Sequence, residues 1–214
     1  WDKVEDNFGN FDLMNEFLKS QIYNSNLADE KLDIINAIIT LQEFGIQQNL
    51  TQKNELKKLF PINFKTAGKY FDAYQDLLSF GIIVEEIVES KFKTLSSAVS
   101  FGNENLRNAL ILKAIIEEND GINYSLFEKI DNHYSNIETK SQLISLLFGE
   151  AYRARNYEAL KPFFNLRYES LKAAISAGQI GQTLRKDKYM QNKLIPEFAK
   201  NEIAQELLFE NNLD

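Results

Sequence analysis

The chain has 214 residues, with 24 Lys/Arg against 31 Asp/Glu and a net charge of −7. It holds no cysteine and a single histidine, His133, which excludes disulfides, thiolate zinc sites and multi-histidine metal centres. The acidic balance argues against a general nucleic-acid binder. No apolar run approaches the roughly 20 residues needed to cross a bilayer, and no basic-then-apolar secretory signal opens the sequence, so a cytoplasmic protein is expected.

Three prolines and nine glycines punctuate the sequence, and apolar residues recur three and four apart through most of it. That spacing predicts a mainly α protein in which strands are minor. A first helix is expected over Phe11–Tyr23, with Phe11, Met14, Phe17, Leu18 and Ile22 on one face. After the polar break Ser25–Asp29, a second helix runs from Glu30 to Phe44, carries Leu32, Ile35, Ile38, Ile39 and Leu41, and ends at Gly45. Thr51 is placed to cap a short helix reaching Phe60, Pro61–Asn63 makes a turn, and a longer helix covers Phe64–Phe80 until Gly81 stops it.

Ile82–Val88 is β-branched and continuous, and Phe92–Val99 alternates loosely, so a hairpin turning near Glu89–Lys91 is expected. The order helix, turn, helix, hairpin predicts a winged helix-turn-helix, with the hairpin as its wing. Beyond it the pattern is helical: Glu104–Glu118, Ser125–Tyr134, Thr139–Arg153, Tyr157–Ala177 and a last segment after Pro196. The breaks fall at Asn119-Asp120-Gly121 and Ser135-Asn136. These lengths suit stacked helical hairpins, an arm or small bundle. Phe148–Leu160 carries part of a tetratricopeptide pattern, one residue short and without a second copy. The expected domains are residues 1–26 (N-terminal helix), 27–102 (winged helix) and 103–214 (helical arm).

A DNA-reading winged helix must present polar and basic side chains from the N-terminal half of its second helix. Asn63, Lys65, Thr66, Lys69 and Tyr70 stand there, with Lys91 and Lys93 at the wing. Asp72, Asp76, Glu85, Glu86 and Glu89 sit among them and would repel phosphate, so these positions are expected to be ordinary surface residues of a helix packed through Phe64, Ala67, Phe71, Tyr74 and Leu78, or to contact a protein partner ahead of DNA. A second candidate surface comes from charge placement. Residues 1–150 hold 14 Lys/Arg against 23 Asp/Glu, whereas residues 151–200 hold 10 against 4. Arg153, Arg155, Lys161, Phe164, Arg167 and Tyr168 lie in that basic stretch, and basic residues beside aromatics are what single-strand binders use. Catalysis has no motif: there is no phosphate loop, nucleophile elbow or metal pair. Glu85-Glu86 and Glu117-Glu118 read as solvated helix ends, and His133 as a helix-end residue favoured by the dipole.

The text SFGIIVEE followed by KFKTLSSAVSFGNENLRNALILKAI resembles the winged-helix domain of the multidomain signal-transduction ATPases of the STAND class. LFEKIDNHYSN and LLFGEAYRARNYEALKPFF resemble the helical arm that follows it. In that family a phenylalanine after the wing is followed by a histidine and then an arginine, and Phe101, Asn103 and Arg107 occupy those positions. Asparagine at the histidine position donates a hydrogen bond but carries no positive charge, so the resemblance does not extend to phosphate sensing here. The ATPase core is absent from this sequence. The chain starts at Trp1, and it is expected to be cut from a longer protein.

The expected function is that of a non-enzymatic regulatory or protein-interaction module, a fragment of a larger signalling or defence ATPase. Its partner would be another protein or other domains of its own chain, with no cofactor, metal or membrane. The alternative is a DNA-binding transcriptional regulator.

Overall fold

A computed structural model describes residues 9–46, 49–63, 68–89 and 95–176, together with residues 180, 183, 187 and 192. The protein is mainly helical, with a small three-stranded antiparallel sheet. It divides into two compact units, residues 10–114 and the part beginning at Ile115.

In the first unit, α1 (Gly9–Leu18) runs into a π-helical turn over Lys19–Tyr23, closed by the Asn24 N–H on the Lys19 carbonyl at 2.8 Å. Helix α2 (Ala28–Leu41) buries Ile34, Ile35, Ile38 and Ile39, the three-and-four spacing of a core-facing stripe. It ends before Gly45, which has φ +74. Thr51 does not cap the next helix. It lies in a two-residue strand, β1 (Thr51–Gln52), opposite Val99, and Gln52 precedes α3 (Lys53–Leu59) without a side-chain cap.

Helix α4 (Lys69–Ser79) follows; residues 64–67, the start of the expected helix, lie outside the described residues. Gly81 does stop α4: its φ is +66, and the Ile82 N–H returns to the Leu77 carbonyl at 3.0 Å, the glycine-terminated helix end expected from the sequence. Strand β2 (Ile83–Glu89) pairs antiparallel with β3 (Leu95–Phe101) from Ile83↔Phe101 to Glu89↔Leu95. The expected hairpin is present, although its turn lies outside the described residues. The sheet order is β1-β3-β2. Tyr74 and Leu77 of α4, Leu56 of α3, Ile83 and Val99 join the α2 isoleucines in the core.

Helix α5 (Glu104–Glu118) contains the boundary between the units. In the second unit, α6 (Leu126–His133) and α7 (Ile137–Arg153) follow the predicted breaks. Asp120 and Gly121 take positive φ after α5, and the Asn136 side chain accepts the N–H groups of Glu138 and Thr139 to start α7.

The long helix expected over Tyr157–Ala177 is interrupted. One α-turn, α8 (Tyr157–Leu160), leads into a 3-10 turn (Lys161–Asn165); Leu166 is extended, and α9 (Tyr168–Ser176) begins anew. Pro162 has no N–H to give the Glu158 carbonyl, so the α-helical ladder fails there. The four-residue α8 also leaves the tetratricopeptide pattern of Phe148–Leu160 without a full second helix. Phe163 is the centre of this unit's core, with ring centroids 5.8, 5.1 and 5.2 Å from Phe127, Phe148 and Phe164, all edge-on. The segment after Pro196 lies outside the described residues.

Candidate functional site

Of the polar positions proposed for groove contact, Lys69 and Tyr70 reach across to α2. Lys69 opens α4, and its ammonium lies 3.2 Å from Glu30 Oε1 on α2. The Tyr70 hydroxyl donates to Asp33 Oδ2 at 2.7 Å, and its ring lies 5.0 Å from that of Phe60. Both residues therefore face the acidic first half of α2. The hydrogen bond to Asp33 raises the Tyr70 pKa, and a backbone hydrogen bond together with Lys69 lowers that of Glu30. Asn63 is exposed in the turn after α3, whereas Lys65, Thr66, Lys91 and Lys93 lie outside the described residues.

A second α2–α4 link had no place in the sequence reading. Lys31 is fully buried, with its ammonium 3.0 Å from both Asp76 Oδ2 and the Gln21 carbonyl and 5.5 Å from the centre of the Phe80 ring. A signal for it exists in the sequence. Lys31, Ile35, Ile38 and Gln42 fall on one helical stripe, and all four are buried. A charge on an apolar stripe implies a buried partner.

The hairpin carries the other polar centre of this unit. Glu85 and Glu86 are strand residues rather than a helix end, so they project from opposite faces of β2. The Glu85 carboxylate accepts from Lys53 Nζ (2.5 Å), the Tyr74 hydroxyl (2.8 Å) and Ser97 Oγ (3.3 Å). Burial acts to raise its pKa, but the bonds from Lys53 and Tyr74 outweigh it and hold it below the usual carboxylate value. The same contact, after burial, drives the Tyr74 phenol far above its usual range. Glu86 accepts from Ser100 on the other face at 2.9 Å. Further along the hairpin, Ile87 and Leu95 are 77 % and 73 % exposed. The register places them on the same face, beside Glu89.

The three family-pattern positions have structural roles. Phe101 ends β3 and is buried opposite Ile83. The Asn103 side-chain oxygen accepts the N–H groups of Asn105 (2.8 Å) and Leu106 (3.2 Å), capping α5. Arg107 is buried, with its guanidinium on Glu104 Oε1 and Asn108 Oδ1 at 3.2 Å each.

The basic-aromatic set of the second unit does not form one surface. Phe164 is core, not surface. Arg153 and Lys161 pair with Glu150 (3.1 Å) and Glu158 (2.5 Å) on their own helical turns. Arg155 is exposed in the turn after α7 at φ +53. Tyr168 is partly exposed, with the Lys172 ammonium 5.9 Å from its ring centre. Arg167 turns toward α6, where its backbone N–H reaches Asp131 Oδ2 at 3.2 Å and its guanidinium donates to Asn132 Oδ1 at 2.7 Å.

Asp131 is the hub of this region and was not singled out from the sequence. Lys140 Nζ lies 3.1 Å and Ser170 Oγ 2.5 Å from its Oδ1, so one carboxylate joins α6, α7 and α9. Its position one residue after Ile130, on the buried side of α6 with Leu126 and Phe127, was the available signal. Burial opposes ionisation, yet the Ser170, Arg167 and Lys140 donors win and keep its pKa low. His133, at the C-terminal end of α6, places Nδ1 2.8 Å from the Lys129 carbonyl.

A groove of about 430 Å³ lies among Ile122, Tyr124, Asn156, Lys161 and Pro162. Asn156 is spent on the Ile122 carbonyl and the Ala159 N–H, and Lys161 on Glu158. Among the described residues, no group of three or more His, Asp or Glu side chains could hold a metal ion, and no helix is long and apolar enough to cross a membrane. The chain matches no protein-family model, no curated protein and no solved structure.

Proposed function

We propose that the first unit is a winged helix whose second helix serves protein packing rather than DNA reading, and that the chain is a non-enzymatic interaction module. In this reading it is the winged-helix and arm segment of a larger signal-transduction ATPase. The order α2-β1-α3-α4-β2-β3, with β3 central in the sheet, supports the winged-helix part. The observation that carries the functional part is the engagement of Lys69 and Tyr70 with Glu30 and Asp33 on α2. A duplex seated on that end of α4 would meet the Glu30 and Asp33 carboxylates beside Lys69, whose own side chain is 72 % exposed. The family-pattern residues fit the same view, since Asn103 is occupied as a helix cap and Arg107 as a buried structural cation.

The test is a titration with random-sequence duplex DNA at low and at physiological salt, for the wild type and Lys69→Glu. The expected result is no binding with a steep salt slope and no difference between the two proteins. Salt-dependent duplex binding that Lys69→Glu abolishes would establish the DNA-regulator reading instead. The ATPase part is checked by reading the coding sequence upstream of Trp1, where a nucleotide-binding core is expected.

A further inference from the structure

We infer that the outer edge of β2 binds an extended peptide of alternating basic and apolar residues from a partner protein, which adds to the sheet as a fourth strand. This rests on the interaction-module reading and names the surface that reading would use. Strand β2 is terminal in the order β1-β3-β2, and among the described residues no strand lies on its far side.

The backbone phase of this edge follows from the register. Gly102 donates its N–H to the Ile82 carbonyl at 3.0 Å, in line with the Ile83↔Phe101 pairing. In an antiparallel ladder, bonded and non-bonded pairs alternate. Val84, Glu86 and Val88 therefore direct their backbone groups to β3, and Glu85, Ile87 and Glu89 direct theirs outward. An open edge with a large exposed aliphatic is a template for strand addition, and natural edges are commonly blunted by lysine, proline or a bulge. Lysine, proline and bulges are absent from Ile83–Glu89, and its charges, Glu85, Glu86 and Glu89, guard it against acidic strands and not against basic ones.

Side chains set the chemistry of the occupant. Ile87 and Leu95 offer an exposed apolar pair on one face. Glu86 places a carboxylate on the face opposite Ile87, so a strand with basic residues on one side and apolar ones on the other meets both, while Glu85 is already matched by Lys53. A second copy of this strand would set glutamate against glutamate, which is unfavourable across a ladder. A basic strand would meet opposite charge and cover Ile87.

The experiment uses the full chain and a fluorescent decapeptide of alternating Lys and Val. Its controls are the Glu/Val peptide and a Lys/Val peptide N-methylated at alternate amides, which keeps the charge and removes the ladder donors. Binding is followed by anisotropy and by amide exchange in NMR. The Lys/Val peptide should bind at least tenfold more tightly than either control, and Ile87→Lys should weaken it by a similar factor with an unchanged circular dichroism spectrum. New exchange protection should appear at Glu85 and Ile87 and not at Val84 or Glu86. Equal binding of the N-methylated peptide, protection in the other phase, or self-association through the same amides would overturn the proposal. Salt-dependent duplex binding in the same preparation would defeat the interaction-module reading while leaving new protection at Glu85 and Ile87 intact. Absence of that protection defeats the edge alone.

Discussion

Replacing Asp131 with alanine leaves the Lys140 ammonium, whose side chain is only 8 % exposed, without its carboxylate, and strips partners from Ser170 Oγ and the Arg167 N–H. Breaking a buried pair from one side costs about 3–5 kcal/mol, because the remaining charge stays desolvated. Lys140→Met is expected to cost less, about 1–3 kcal/mol, since Asp131 keeps its Ser170 and Arg167 donors. The double variant should be more stable than the sum of the two losses implies, by about 1–3 kcal/mol, as the orphaned ammonium is gone. Urea unfolding of all four proteins measures these values, and native-state hydrogen exchange should confine the loss to the unit beginning at Ile115. The pH dependence has a definite sign. The folded-state pKa of Asp131 is lowered, so the unfolded chain binds more protons. The stabilisation is then complete above the ordinary carboxylate pKa of about 4 and is lost as pH falls through the lower folded value. Asp131→Ala should flatten this acid limb. A cost below about 1 kcal/mol, or strict additivity with Lys140→Met, would refute the argument.

Gly102→Ala would put a methyl group 2.1 Å from the Gly81 carbonyl oxygen, so it should cost about 3 kcal/mol in thermal or urea unfolding. Asn103→Ala removes the cap of α5 and should cost about 1 kcal/mol, with Asn103→Asp close to wild type; an equal loss from both would point away from capping. Tyr74→Phe should cost about 1.5–3 kcal/mol, the range for a hydrogen bond to a charged group. In alkaline absorbance titration, wild type and Tyr74→Phe should yield the same phenolate signal near pH 10, because the Tyr74 phenol is held well above that range. A signal one tyrosine larger in the wild type would show otherwise.

The parts of the fold that rest on local chemistry were legible. Gly81, Gly121 and Asn136 mark chain reversals that only particular backbone angles or side-chain acceptors permit, and each does so where the pattern predicted. The hairpin was legible from its β-branched run. What escaped depends on partners distant in sequence. Two residues of β1 are a strand only because Val99 and Ala98 lie opposite them. The Tyr157–Ala177 period is continuous, and it concealed a break that Pro162 alone hinted at. For the site residues, composition could nominate Lys69, Tyr70 and Arg167 as surface cations and aromatics. It could not show that Glu30, Asp33 and Asp131 already hold them. The better signal was the reverse one, a charge on an apolar stripe, as at Lys31, Asp131 and Lys140.

The break before α9 has a consequence for how the second unit assembles. Arg167 is the residue from which α9 starts, its carbonyl accepting the Leu171 N–H at 2.9 Å, and arginine is a poor residue for closing a helix N-terminus. The acceptor that α9 lacks in its own sequence is lent by Asp131, 36 residues earlier, through Arg167 N–H and Ser170 Oγ. Helix α9 is thus a borrower: its residues favour a helix, but the acceptor at its start belongs to α6. A change at Asp131 on α6 therefore reaches the start of α9, 36 residues later in the chain.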